Sequence, residues 1–244
     1  MPYSVADKQR RYSRNVPTRK AMVRSGLQAL YKTSELVYIY RRIVMKKNVQ
    51  RAIKAAFQAT SVLRSRDLEQ EGFNRPMLRH MLRQGQLHRL DRGLYTVPDA
   101  EVGENHTLAE VATHTPNAVV CLLSALRFHG LTTQNPHETW IAIDGKAHQP
   151  KSTHLPMKIA RFSGTALSEG QGTHKIEGVN VRIYNPAKTV ADCFKYRNKI
   201  GLDVAIEALR DCVHSKRCTP NELMQYAHIC RVDKIMRPYL EAMI

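Results

Sequence analysis

Asn74-Arg75-Pro76-Met77-Leu78-Arg79-His80-Met81-Leu82-Arg83-Gln84-Gly85, residues 74–85, is the stretch that decides the fold. Asn74 is a strong helix N-cap, because its side-chain oxygen accepts from an orphan N–H of the first turn, and a proline is tolerated at the start of a helix. Met77, Leu78, Met81 and Leu82 recur at helical spacing and predict one apolar stripe. Gly85 stands where a C′ glycine closes a helix. With the stripe turned inward, Arg75, Arg79 and Arg83 share the opposite face at i, i+4 and i+8, bordered by His80 and Gln84.

Upstream, Val49, Ile53, Ala56 and Phe57 fall on one face of a first helix, and Ser61-Val62-Leu63 reads as a short extended link. Ser65 is the expected N-cap of a second short helix, with Leu68 facing inward and Gly72 ending it. Downstream, Leu87, Leu90, Leu94, Tyr95 and Val97 flank the turn Asp91-Arg92-Gly93, a hairpin signal. Three helices followed by a β-hairpin is the order of a winged helix-turn-helix, here over 48–98. In a helix-turn-helix the second helix of the pair enters the major groove. Arginine can pair bidentately with guanine O6 and N7, and glutamine with adenine N6 and N7. The expected DNA-binding set is therefore Arg75, Arg79, His80, Arg83 and Gln84 on that helix. Arg89 and Arg92 join it from the wing, and Arg64 and Arg66 from the start of the preceding helix, a usual place for phosphate contacts.

Charge agrees with that placement. The chain of 244 residues has a formal net charge of +17. Residues 1–98 hold 21 Lys+Arg against 6 Asp+Glu, whereas 99–244 hold 17 against 15, so the basic excess lies in the first part. A localised basic excess is the footprint of a phosphate-binding surface. Residues 1–47 alone hold 12 Lys+Arg against 2 Asp+Glu with no capped, periodic element, and are expected to be a disordered basic extension or at most one isolated helix. Met45-Lys46-Lys47-Asn48 is a second place at which translation would start, which would put that extension outside the native chain. No apolar run approaches the ~20 residues of a membrane span. Five cysteines, an odd number with no C-x-x-C, argue for a reducing cytoplasm and against a disulfide framework.

Residues 99–244 alternate between helix and strand signals and predict a mixed α/β domain, making the whole chain α+β. Thr107-Leu108-Ala109-Glu110 reads as a capping box. Strands are expected over Ala118 to Cys121, Thr139 to Ile143, Met157 to Phe162 and Lys175 to Tyr184, with a polar loop over 145–156. Helices are expected over Leu122 to Phe128, from Asn185-Pro186 through Tyr196, over Asp203 to His214, and after the cap Thr219-Pro220-Asn221-Glu222.

The segment from Leu78 through Gly85 to Leu87-His88-Arg89-Leu90-Asp91-Arg92-Gly93-Leu94-Tyr95 resembles the helix and wing of AbiEi-type antitoxins. So do Ser124-Ala125-Leu126 with His129-Gly130-Leu131-Thr132, and Asn185-Pro186-Ala187-Lys188-Thr189-Val190-Ala191-Asp192, where Lys188 replaces the family's usual arginine. The resemblance spans roughly 48–212. It implies an antitoxin of a type IV toxin–antitoxin pair that represses its own promoter through the winged helix. It implies a C-terminal antitoxin domain that counters a nucleotidyltransferase-like toxin without a stable complex.

Other chemistry is weaker in the sequence. His129 at a helix end is expected to bond a backbone carbonyl rather than to act in catalysis, and Ser124 lacks the glycine-flanked elbow of a nucleophile. Asp144-Gly145-Lys146 after a strand, with Glu138 upstream, loosely fits a metal-dependent nuclease core, but a polar turn is the better reading. Cys212, His214, Cys218, His228 and Cys230 do not have usual zinc spacing. No enzyme activity, metal or cofactor is expected. A winged-helix regulator unrelated to any toxin and a DNA-targeted nuclease remain the alternatives. A nucleotidyltransferase gene beside this one would favour the antitoxin, and Mg²⁺-dependent cleavage lost in Asp144→Ala would favour the nuclease.

Overall fold

Helix α1, over 49–56, opens the part of the chain that the computed structural model describes, which is residues 49–100, 103–152 and 154–244. The expectations of disorder over 1–47 and of initiation at Met45 lie outside the described residues. Ile53 and Phe57 are buried, and Val49, Ala52 and Ala56 pack beside them, as the spacing predicts. Strand β1 (Leu63–Arg64) leads into α2 (Ser65–Gln70), then α3 (Arg75–Arg83), β2 (His88–Asp91) and β3 (Leu94–Thr96). The three strands form one sheet in the order β1-β3-β2, so the extended link is part of the wing sheet. The Thr96 hydroxyl donates to the Ser61 carbonyl at 2.8 Å and ties β3 to that link. Leu68, Phe73, Leu78, Met81 and Leu87 complete a small core with α1.

The cap of α2 is one residue earlier than expected. Arg64 is the N-cap, with extended backbone, and its N–H donates to Asp67 Oδ2 at 3.1 Å. Ser65 is therefore the first helical residue. A carboxylate at the third helical position satisfied the end of the helix where a serine cap was expected.

The described residues separate into two units, 49–89 with Tyr95–Asp99, and Leu90–Leu94 with the chain from Ala100 onward. The second unit holds α4 (His106–His114), β4 (Val119–Val120), α5 (Leu122–Phe128), β5 (Thr139–Asp144), β6 (Met157–Phe162) and α6 (Thr165–Ser168). It continues with β7 (Gln171–Ile176), β8 (Val179–Tyr184), α7 (Pro186–Lys195), α8 (Arg197–Ile200), α9 (Leu202–His214), α10 (Pro220–Cys230) and α11 (Asp233–Glu241). The fold is α+β.

Five strands form a mixed sheet in the order β6-β5-β4-β8-β7. β5 and β6 run parallel, in register from Thr139 opposite Met157 to Asp144 opposite Phe162. A parallel pair needs a crossover of a dozen or so residues, and the polar loop 145–156 carries it. β5 buries Thr139 through Ile143 without alternation, because both of its faces are covered. Trp140 and Ala142 join a large cluster with α5, α7, α9, α10 and α11. Val120, Val181 and Ile183 instead pack with Leu108 of α4. At the centre of the large cluster lies α7, whose residues Ala187 through Phe194 are all buried.

Three local expectations are corrected. The span read as one strand, Lys175 to Tyr184, is two strands: β7 and β8 form a hairpin across Glu177 and Gly178, both at positive φ. β7 had no apolar alternation to announce it. The Thr107–Glu110 capping box does not form, because α4 begins at His106 and Glu110 instead pairs with His106 Nε2 at 3.3 Å. Cys212 and Cys218 are joined as a disulfide, with Cα atoms 5.7 Å apart, while Cys121, Cys193 and Cys230 are free and buried.

Candidate nucleic-acid interface

Asn74 sets the start of α3 as its sequence predicts: Oδ1 accepts from the Met77 N–H at 3.0 Å. At the other end Gly85 takes φ +64°, its N–H reaching the Leu82 carbonyl at 3.1 Å and the Gln86 N–H reaching Met81 at 2.9 Å. This pair of bonds is a Schellman stop. Both ends of α3 are thus fixed by backbone chemistry, and its rotation about its own axis is fixed by burial of Leu78 and Met81. Arg75, Arg79, His80, Arg83 and Gln84 are all exposed.

The remaining predicted residues divide. Arg66, Arg89 and Arg92 are exposed, Arg92 at the turn between β2 and β3, where Gly93 takes φ +76°. Arg64 is different. Its side chain is partly enclosed, and among the described residues its Nη2 is buried without a hydrogen-bond partner. Burial pushes the Arg64 guanidinium below its ordinary pKa, against the opposing effect of Asp67.

Two carboxylates of this region had no periodic signal. Glu69, on α2, meets Arg75 across the turn, Oε1 to Nε at 3.4 Å, with the two side chains 41% and 82% exposed respectively. Asp91, at the end of β2, is buried and accepts the Ser152 hydroxyl through Oδ2 and the Arg92 N–H through Oδ1 at 2.6 Å. The Ser152 hydroxyl above all holds the Asp91 carboxyl below its ordinary pKa, and burial opposes it. Each pairing joins residues from different elements, so spacing along one helix or strand cannot reveal it.

The motifs of the second unit resolve into framework. His129 is buried and its Nε2 donates to the Tyr184 carbonyl at 2.8 Å, as expected of a histidine at a helix end. Burial lowers its pKa. Ser124 Oγ accepts the Trp140 N–H at 2.9 Å, joining α5 to β5. Asp144 Oδ1 accepts the Lys146 N–H at 2.8 Å and closes its own turn, while Glu138 pairs with Lys158 at 3.9 Å. Among the described residues no group of three or more His, Cys, Asp or Glu side chains is placed to hold a metal ion. None of their helices is long and apolar enough to cross a membrane.

Lys188 and Asp192 form a fully buried pair on α7, with Nζ 2.6 Å from each carboxylate oxygen. The ammonium also lies 4.3 Å from the Tyr184 ring centroid and 4.8 Å from that of Phe162. Cys230 donates its thiol to Asp192 Oδ1 at 3.1 Å. Burial raises the Asp192 carboxyl pKa, with Lys188 opposing, and burial pushes the Cys230 thiol up to about 12. The two ions lie one helical turn apart in the sequence motif, but their enclosure comes from other helices and strands.

A crystal structure of the RV2827C protein from Mycobacterium tuberculosis has a similar fold, with a TM-score of 0.55 at 13% identity over 79% of this chain and 80% of that one. No curated protein matches the chain. Residues 51–98, the segment that builds α3 and the hairpin, match the model of the family described as "Transcriptional regulator, AbiEi antitoxin", and in this segment the resemblance read from the sequence holds.

Proposed function

We propose that this protein binds double-stranded DNA through the α3 face and acts as the antitoxin and autorepressor of a type IV toxin–antitoxin operon. The observation that carries the reading is one helix that buries Leu78 and Met81 while holding Arg75, Arg79, His80 and Arg83 exposed. Such a face supplies base-edge donors. Exposed Arg66, Arg89 and Arg92 supply phosphate contacts beside it, with Arg64 a lesser contributor because part of its guanidinium is enclosed. The family matched at 51–98 is one of transcriptional regulators described as antitoxins, which favours this reading over a regulator without a toxin. In this proposal the second unit is the antitoxin part. It counters a nucleotidyltransferase-like toxin without a stable complex and performs no catalysis, and the protein works in the cytoplasm.

The test is a gel-shift titration of the full chain on a duplex carrying its own upstream region, beside the variant with Arg75, Arg79 and Arg83 all changed to alanine. Affinity should fall by more than a hundredfold at moderate salt, since each base-reading arginine contributes ~1–3 kcal/mol. Unchanged affinity in a variant with an unaltered thermal melt overturns the assignment. Co-expression with the neighbouring toxin tests the second half: growth rescue by the same variant is expected, and loss of rescue would place toxin control on α3.

A further inference from the structure

We infer that Glu69 is a specificity-determining residue, a carboxylate that positions Arg75 for a bidentate base contact. This deepens the DNA-binding reading above and rests on it. Glu69 Oε1 meets Arg75 at Nε, at 3.4 Å, and among the described residues no hydrogen bond or ion pair engages the Nη1–Nη2 edge of the guanidinium. That edge is a planar fork matched to guanine O6 and N7. Arg75 is the first residue of α3, and the N-terminal residues of a recognition helix are those that meet base edges.

The backbone around the pair is fixed. Asn74 is committed to the Met77 N–H, and the turn between the helices is held by the Phe73 N–H on the Leu68 carbonyl at 2.9 Å. Glu69, Phe73, Asn74, Arg75 and Pro76 line one shallow depression at this junction, so the arginine stem leaves a defined surface. An ion pair this exposed adds little to folding. An acid beside a phosphate-binding face also weakens binding to DNA of any sequence. A carboxylate with a cost and no folding benefit is explained if it restricts the rotamers of a long side chain before DNA arrives, since ordering that side chain is otherwise charged to binding.

The experiment selects from a random-sequence duplex library with the full chain, Glu69→Gln, Arg75→Ala and the double variant, with thermal melts and salt titrations on each. The full chain should enrich a motif, and Arg75→Ala should relax it at one base pair by about fivefold or more. Glu69→Gln should relax that same base pair, leave the melt unchanged, and add nothing in the Arg75→Ala background. If Glu69→Gln tightens binding to every duplex by one factor and keeps the motif, the carboxylate only repels phosphates and the inference is overturned. Relaxation at a base pair that Arg75→Ala does not affect overturns it too. A full chain that enriches no motif and binds no duplex removes the DNA-binding reading itself, an outcome visible before any Glu69 variant is compared.

Discussion

Helices α3 and α7 start with the same local chemistry and end in opposite environments. Each is capped by an asparagine that accepts from the third helical N–H, Asn74 from Met77 at 3.0 Å and Asn185 from Lys188 at 2.8 Å, and each has a proline in its first turn. Each carries basic side chains. On α3 they are exposed and, among the described residues, only Arg75 of them pairs with an acid, the exposed Glu69. On α7 the cation at 188 is fully enclosed and neutralised by Asp192 one turn later. Caps therefore set where a helix begins, whereas the surrounding elements decide whether its charge is offered to a partner or used internally. A charge left in water can be exchanged for a phosphate or a base at little cost. A charge sealed in the core must be matched within the chain, because an unpaired buried ion is too costly to keep.

The largest break in this comparison should come from Lys188→Met. Removing the partner leaves Asp192 buried and uncompensated, and unfolding titrations should show a loss of about 3–5 kcal/mol at neutral pH. Burial already raises the Asp192 pKa in the folded state, and loss of Lys188 raises it further. A group raised on folding favours the folded state below its unfolded pKa, and that contribution is lost as pH rises through the folded value. The penalty should therefore be smallest in acid and grow toward neutral pH. A flat penalty across that window would mean that the loss is one of packing alone. Changing Asp192 to leucine in the same chain should recover most of the stability, since a buried pair is replaceable by apolar residues when both go together.

Two glycines sharpen the same contrast. A Cβ at Gly170 would fall 2.7 Å from the Lys188 Cβ, at φ +76°, whereas Gly85 has nothing within 4 Å and φ +64°. Gly85→Ala should cost only the strain of a left-handed alanine, about 1 kcal/mol. Gly170→Ala should cost that plus roughly 1–3 kcal/mol of overpacking. Equal losses in the two thermal melts would show that the space around Lys188 gives way.

Smaller still is the difference between the two caps. Asn74→Ala should lose about 1 kcal/mol. Asn185→Ala should lose somewhat more, because its Nδ2 also donates to the Tyr226 hydroxyl at 2.9 Å. In the exposed wing, by contrast, Arg92→Ala should leave the melt unchanged and flatten the salt dependence of DNA binding by about one unit of slope. A change in sequence preference there would make Arg92 a base reader.

These outcomes follow from features that were unevenly legible in the sequence. Both ends of α3, the limits of α5 and the start of α7 were readable because caps, glycines and apolar stripes are local and repeat with the helix period. β7 was hidden: Gln171-Gly172-Thr173-His174-Lys175-Ile176 never buries a side chain fully, so its pairing with β8 leaves no apolar alternation. Glu69 and Asp91 were missed because each finds its partner outside its own element. The enclosure of Lys188 was equally out of reach. The i,i+4 spacing to Asp192 is visible, but helices and strands from elsewhere in the chain are needed to shut out water, and no local pattern records that.

The central position of α7 also orders events in time. Part of its cover comes from α9, α10 and α11, between Leu202 and Glu241, all later in the chain. At ~5–20 residues per second, a ribosome takes roughly 7–30 s to pass from Ala100 to the end of α11. Throughout that interval Leu78 and Met81 already have their neighbours, whereas Lys188 waits for helices that have not been made. A nascent chain is therefore armed with its arginine face well before its second half can close, and a protease or chaperone acting during synthesis meets two halves of very different age.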